Sequence, residues 1–173
     1  MPTRSIRYTV AASLDGYIAG PNEEVDWIVI DPDIDFAAMF ARFDTLIMGR
    51  KTYEVTVGLG ETGFFMNCRV VVFSRTLTAA PAGIEVHAGP PEPFVEALLQ
   101  QPGKDICLFG GGLLFRALAA ARLVHGVEVA VIPVLLGGGV PLFPPPAPRV
   151  PLRLNRHRLY EKSGIVWMDY QLL

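Results

Sequence analysis

The chain has 173 residues, 51% of them apolar and 18% charged, and a net charge of −2. That apolar content excludes disorder as the main state, and about 70% of the surface of a chain this long can be buried on folding. A nucleic-acid binder is not expected, because neither a basic balance nor a basic stripe is present. The low charged fraction points instead to surface buried in an oligomer or to a deep apolar pocket.

Arg7 to Ser13 is a short β-branched and apolar run, read as the first strand. Leu14 to Gly20 is a loop containing Asp-Gly, and Pro21-Asn22 continues the break. Phe36, Met39, Phe40 and Phe43 recur at helical spacing, which predicts a helix over Asp35 to Phe43. Thr45 to Met48 reads as a buried strand ending at Gly49, and Lys51 to Val57 as a short helix. Arg69 to Phe73 and Ile84 to His87 are the next strands. Pro93 to Gln101 is a helix with proline and glutamate at its start. Asp105 to Phe109 is a strand that runs into three glycines and then a helix over Leu113 to Ala121. Val127 to Leu136 is a strand whose Pro133 argues for an edge or an irregular end. A loop rich in glycine and proline follows from Gly137 to Pro148. Val150 to Glu161 and Ile165 to Leu172 then form a hairpin across Lys162-Ser163-Gly164.

Strands alternate with helices until that hairpin. The expected fold is therefore α/β, one domain of three αβα layers. Its central sheet is mostly parallel and carries an antiparallel C-terminal hairpin. Cys68 and Cys107 show no metal-ligand spacing and adjoin apolar runs, so two buried thiols in a reducing compartment are expected; spacing alone leaves a disulfide open. Met1 to Val10 passes straight into a strand pattern, and Asp15 interrupts the stretch that could form a signal core. No apolar run reaches a membrane span, so a soluble cytoplasmic protein is the expectation. Arg149, Arg153, Arg156 and Arg158 cluster at a spacing that fits alternation on a strand and read as a solvated face.

Three strand ends carry a similar chemical signal. Met48-Gly49-Arg50-Lys51-Thr52 joins a strand end to two cations and a hydroxyl at a helix start, which suits a phosphate. Phe73-Ser74-Arg75-Thr76 sets an arginine between hydroxyls, suited to a phosphate monoester. Phe109-Gly110-Gly111-Gly112 lets backbone approach a ligand at a helix N-terminus. Each has an ordinary turn as its alternative. Together, on the carboxyl edge of a parallel sheet, they describe a dinucleotide.

The segments TVAASLDGYIAG at 9–20, DTLIMGRKTYE at 44–54, VVVFSRTL at 70–77, FGGGLLFRAL at 109–118 and VIPVLLGGGVPLF at 131–143 resemble the dihydrofolate reductase superfamily. They are most similar to the branch holding the reductase domain of riboflavin biosynthesis and its stand-alone relatives. The resemblance implies an NADPH site. Ala12 and Ile18 would flank the nicotinamide, and Gly49, Arg50, Lys51 and Thr52 would hold phosphates. Ser74 and Arg75 would meet the 2′-phosphate, and Gly110, Gly111, Gly112, Leu113 and Leu114 the pyrophosphate. Trp27 would close a loop over a small-molecule substrate, with Phe36 and Phe40 lining its pocket. The folate enzymes carry an acid on the first helix, where this chain has Phe36. The riboflavin enzymes carry a glutamate before the paired glycines, where it has Phe109. The expected activity is hydride transfer from NADPH to a small heterocyclic or carbonyl substrate, with Asp35 as source or relay of the proton. A nucleotide-binding homodimer without catalysis is the alternative. Asp15 matches a family position that an Asp-Gly turn also explains.

A homodimer is expected in either case. The hairpin from Val150 to Leu172 exposes a sheet edge, and its last strand is apolar on both faces near Ile165 and Trp167. The alternative cover is the proline-rich loop at Pro144 to Pro148.

Overall fold

A computed structural model describes residues 4–65 and 67–173. Residues 1–3 of the N-terminal segment, and with them part of the Met1 to Val10 reading, lie outside the described residues. Strand β1 spans Ile6–Ser13, β2 Tyr17–Ala19, β3 Phe43–Gly49, β4 Arg69–Phe73, β5 Ile84–His87, β6 Asp105–Gly110, β7 Gly126–Ile132, β8 Val140–Pro141, β9 Leu152–Tyr160 and β10 Ile165–Leu172. Helix α1 spans Phe36–Phe40, α2 Arg50–Gly58, α3 Pro91–Leu99 and α4 Gly112–Ala120.

Eight strands form one sheet in the order β5-β4-β3-β6-β1-β7-β10-β9. The pairs from β5 to β7 are parallel, and β10 and β9 add an antiparallel edge. Alternation along β1 divides the two faces. Ile6, Tyr8 and Ala12 pack with Val95 and Leu98 of α3 and with Phe115 and Leu118 of α4. On the opposite face Leu46, Met48, Val70, Val72 and Cys107 pack with Tyr53 of α2 and Phe40 of α1. The three expected layers are present.

Several elements differ from the sequence reading, and some of the differences have a local reason. Helix α1 stops at Phe40, and Phe43 belongs to β3. Phe43 pairs with Asp105 and is 3% exposed, so sheet burial overrides the helical spacing that continues through it. Helix α3 starts at Pro91, two residues earlier than expected, because first-turn N–H groups lack intrahelical partners and prolines there lose nothing. Strand β7 stops at Ile132, before Pro133, which has no N–H for the ladder. The loops at 14–20 and 137–148 each contain a short strand, β2 and β8, which pair with each other.

Cys68 and Cys107 are both free thiols. Burial pushes the Cys107 thiol up to about 12 and raises that of Cys68. No helix among the described residues is long and apolar enough to cross a membrane.

Candidate active site

Strand β6 returns between β1 and β3, so β3 and β6 are parallel neighbours. The helices that follow them leave over opposite faces. Tyr53 of α2 joins the core on one side, and Leu114 and Phe115 of α4 join the core on the other. Adjacent parallel strands whose connections diverge leave a crevice at their carboxyl ends, where open α/β sheets bind ligands.

Two of the three sequence signals meet in that crevice. Met48 pairs with Gly110. A Cβ added to Gly110 would lie 2.9 Å from both the Cγ2 and the Oγ1 of Thr52, and one on Gly111 would lie 3.3 Å from Thr52 Oγ1. Gly110 also has φ +155°, a conformation that side chains other than glycine resist. Glycine is what lets the FGGG turn press on the first turn of α2. Gly49 is the N-cap of α2 and Gly111 that of α4, and neither provides a side-chain cap. Two sets of free N–H groups and two helix-dipole ends therefore converge on one crevice. Gly112 must be glycine for a further, steric reason. A Cβ there would meet Pro141 O at 2.6 Å, so the proline-rich loop crosses directly over it.

Arg50 and Lys51 open α2 at this crevice, and Arg75 follows the end of β4. Arg50 is bound by Glu54, one turn on, at 2.7 Å, and Lys51 pairs with Glu23 of the loop before α1. Arg75 is exposed, and no carboxylate pairs with it among the described residues. The Ser74 hydroxyl accepts from Thr76 N at 3.2 Å and Leu77 N at 2.9 Å, so it shapes the turn that presents Arg75. Leu113 is 63% exposed at the helix start, whereas Leu114 lies in the core behind the turn.

The ends of β1 and β7 are overhung by two loops fastened to each other. Leu14 N donates to Val134 O, and Leu142 N donates to Gly16 O. Asp15 clamps the pair, its two oxygens accepting from Leu136 N at 3.1 Å and Gly137 N at 2.7 Å. The clasp leaves Ala12 buried beneath and Ile18 packed on the core. A hydrogen bond from Ser13, then those two N–H groups, hold the Asp15 carboxyl down at about 2. The folded state thus binds this proton more weakly than the unfolded chain, whose aspartates titrate near about 3.9. The clasp's stabilisation is complete above that value and is lost as pH falls towards 2. Asp15→Asn is therefore expected to flatten the acid limb of a stability–pH curve between about pH 4 and pH 2. An unchanged limb by urea denaturation would show that the clasp carries no proton linkage.

On the face covered by α1, Phe40 packs at 5.9 Å between ring centroids from Phe109, the residue before the glycine turn. Phe36 lies one turn before Phe40 and is half-buried. Trp27 is half-buried in the loop ahead of α1, its indole N–H donating to Glu24 O at 3.1 Å. Asp31 anchors that loop to the hairpin turn by accepting from Asp33 N and Ser163 N, each at 2.9 Å. The Ser163 hydroxyl in particular keeps the Asp31 carboxyl below its usual range. Asp35 is exposed and caps α1, accepting from Ala38 N at 2.9 Å. The Gly49–Thr52 segment and the Gly110–Gly111 turn are thus brought together, while Asp35 is exposed at the head of α1.

This arrangement of strand ends, glycine turn and overhanging loops coincides with a known family. The model of the RibD C-terminal domain matches residues 4–166. The chain belongs to the RibD C-terminal domain family. The protein YyaP of Bacillus subtilis, itself uncharacterized, is 32% identical over 179 residues, covering 96% of this chain and 94% of its own. A candidate riboflavin biosynthesis protein from Shewanella sp. PV-4 superposes with a TM-score of 0.83 at 25% identity, covering 98% of this chain and 99% of its own. The dihydrofolate reductase of Enterococcus faecalis, solved with NADP(H), shares the fold at a TM-score of 0.67 and 17% identity, with 97% and 96% coverage.

Within this RibD C-terminal domain the sequence reading missed one feature, a buried ionic network beside α1. Glu128 of β7 is 0% exposed and accepts from Arg7 and from Arg42. Asp169 of β10 is 3% exposed and accepts from Arg7 and from Arg156. The signal was present as a carboxylate inside each of two otherwise apolar strands, where a charge requires a partner. Arg149, Arg153, Arg156 and Arg158 are all exposed, as a solvated face requires, and Arg156 reaches from that face to the buried Asp169.

Proposed function

We propose that the protein is an NADPH-dependent reductase acting on a small heterocyclic, pterin- or pyrimidine-like, or carbonyl substrate. The observation that carries this reading is the contact of the Gly110-Gly111 turn with Thr52, at a crevice where two uncapped helices begin. The residues fit the cofactor. Gly49, Arg50, Lys51 and Thr52 would bind phosphate from one side, and Gly110, Gly111, Gly112 and Leu113 from the other. Leu114 would support the turn from the core. Arg75, on the turn shaped by Ser74, would pair with the 2′-phosphate. Ala12 and Ile18 would form the wall against the nicotinamide. Once bound, NADPH supplies the hydride.

The chain's own residues then have three tasks. Phe36, Phe40 and Phe109 present ring faces that bind a flat substrate and exclude water. Trp27 closes the loop side. Asp35 supplies or relays the proton from the head of α1. The experiment is NADPH oxidation over a panel of carbonyl and imine substrates, with Asp35→Asn alongside. Asparagine caps a helix as well as aspartate, so stability is expected to hold while turnover falls about 100-fold. Unchanged turnover would leave Asp35 as a cap only and assign the proton to water.

A second reading is supported by the same use of Asp35 as a cap. A nucleotide-binding protein without catalysis would keep the crevice and need no acid. NADPH binding with no turnover on the whole panel would favour it.

A homodimer and a cytoplasmic location belong to either reading, and two free thiols suit a reducing compartment. The open sheet edge is β9, whose Leu152, Leu154 and Leu159 are 46%, 48% and 56% exposed. Strand β10 lies inside it, one face packed on the core and the other holding Asp169 in the ionic network. Light scattering at micromolar concentration is expected to give twice the chain mass of 18.9 kDa. A mass of one chain would contradict the dimer.

A further inference from the structure

A cavity of about 310 Å³ lies between α1 and the C-terminal hairpin. Ile34, Asp35, Met39 and Arg42 line it from the α1 side, and Arg156, Arg158, Tyr160 and Trp167 from the hairpin. Of the residues proposed for the reduction it shares Asp35, and neither the glycine turn, the start of α2 nor the phenylalanines line it. Asp35 and Met39 lie one turn apart on α1, on a stripe about 100° around the helix from Phe36 and Phe40.

The electrostatics of this cavity are unbalanced. Each oxygen of Glu128 and Asp169 is taken by a guanidinium: Glu128 by Arg7 and Arg42, Asp169 by Arg7 and Arg156. Both carboxylates lie buried beneath the cavity and do not line it. Two of those three guanidinium groups do line it, Arg42 and Arg156, and Arg158 stands in the lining beside them. Arg158 lies 4.5 Å from the Tyr160 ring and has no carboxylate partner among the described residues. Arg156 lies 5.7 Å from the Trp167 ring. The carboxylate on the rim is Asp35, already accepting from the Ala38 N–H. The wall therefore presents cations whose counter-charges are behind it, on a floor of two aromatic rings.

The geometry points to a second ligand site here, for a flat organic anion: a single ring bearing a carboxylate or a phosphate ester. The guanidinium groups match the planar oxygens of such an anion, and Arg158 is the one with its donors uncommitted to any carboxylate. Trp167, Tyr160 and Met39 receive the ring. The volume lies at the small end of ligand pockets, which suits one ring and one anionic group. The site depends on neither NADPH nor the proposed reduction.

Trp27 and Trp167 are the two tryptophans of the chain, so Trp27→Phe leaves Trp167 as sole reporter. Phenyl phosphate and benzoate, titrated into that variant, are expected to give a saturable fluorescence change for at least one of them. Calorimetry on the unmodified chain is expected to give the same affinity. Inorganic phosphate and benzyl alcohol, each lacking half of the ligand, are expected to bind at least about tenfold more weakly. Arg158→Gln should weaken the anion by at least about tenfold without lowering Tm, since it breaks no ion pair. Saturating NADPH should leave the affinity unchanged. The proposal is overturned by absence of saturable binding of both anions, by equal affinity in Arg158→Gln, or by competition with NADPH. It is also overturned if Arg158→Gln dissociates a dimer in light scattering and leaves anion affinity untouched, because the arginines would then hold a second copy.

Discussion

Replacing Gly111 with Asp is expected to weaken NADPH binding roughly 100-fold in a protein that stays folded. Gly111 caps α4 with φ −105° and ψ −175°, an extended conformation open to any residue. A Cβ there meets Thr52 Oγ1 at 3.3 Å, so the threonine need move only a few tenths of an ångström. Aspartate is a good helix cap, and α4 has no side-chain cap at present. Tm should hold or rise slightly. The new carboxylate would face the pyrophosphate at the helix start. Two like charges about 6 Å apart at an effective dielectric of 20 repel by about 3 kcal/mol, roughly 100-fold in affinity. Glycine at this position gives up a cap and keeps the crevice open to an anion. Unchanged NADPH affinity in the folded variant would remove the turn from the site.

The second large effect is expected at Glu128. Its carboxylate is wholly buried and holds Arg42 and Arg7 from opposite oxygens. Glu128→Gln leaves Arg42 half-buried without its partner, while Arg7 keeps Asp169. Breaking one side of a buried pair costs about 3–5 kcal/mol. For a chain of this size that is a fall of about 6–20 °C in Tm. Glu85→Gln, which breaks the exposed pair with Arg69, should cost less than about 1 kcal/mol. Thermal denaturation of the two variants separates these cases. Equal small losses would mean that the network contributes no net stability.

Particular residues explain what was legible in the sequence. Strands β4 and β5 were readable to the residue because Arg69–Phe73 and Ile84–His87 are short apolar runs between turn signals. The FGGG turn and the MGRKT segment were readable as strand ends, and their local chemistry marked both. Their contact through Thr52 was not, because it depends on β6 returning beside β3. The β2–β8 pairing was hidden for the same reason, since two short strands so far apart in the chain have no periodicity of their own. Phe43 misled because helical spacing and β burial compete at the same residue. The arginines of β9 were legible as an exposed face, but the ties of Arg156 to Asp169 and Trp167 and of Arg158 to Tyr160 were not, because those partners lie at other positions of the hairpin.

Titration of NADPH and NADH into the unmodified chain, followed by nicotinamide fluorescence and calorimetry, tests the central claim most directly. The account predicts one saturable NADPH site per chain. NADH should bind more than tenfold more weakly, because Arg75 would lose its charge-assisted contact with the 2′-phosphate. No saturable NADPH binding, or equal affinity for the two nucleotides, would contradict it.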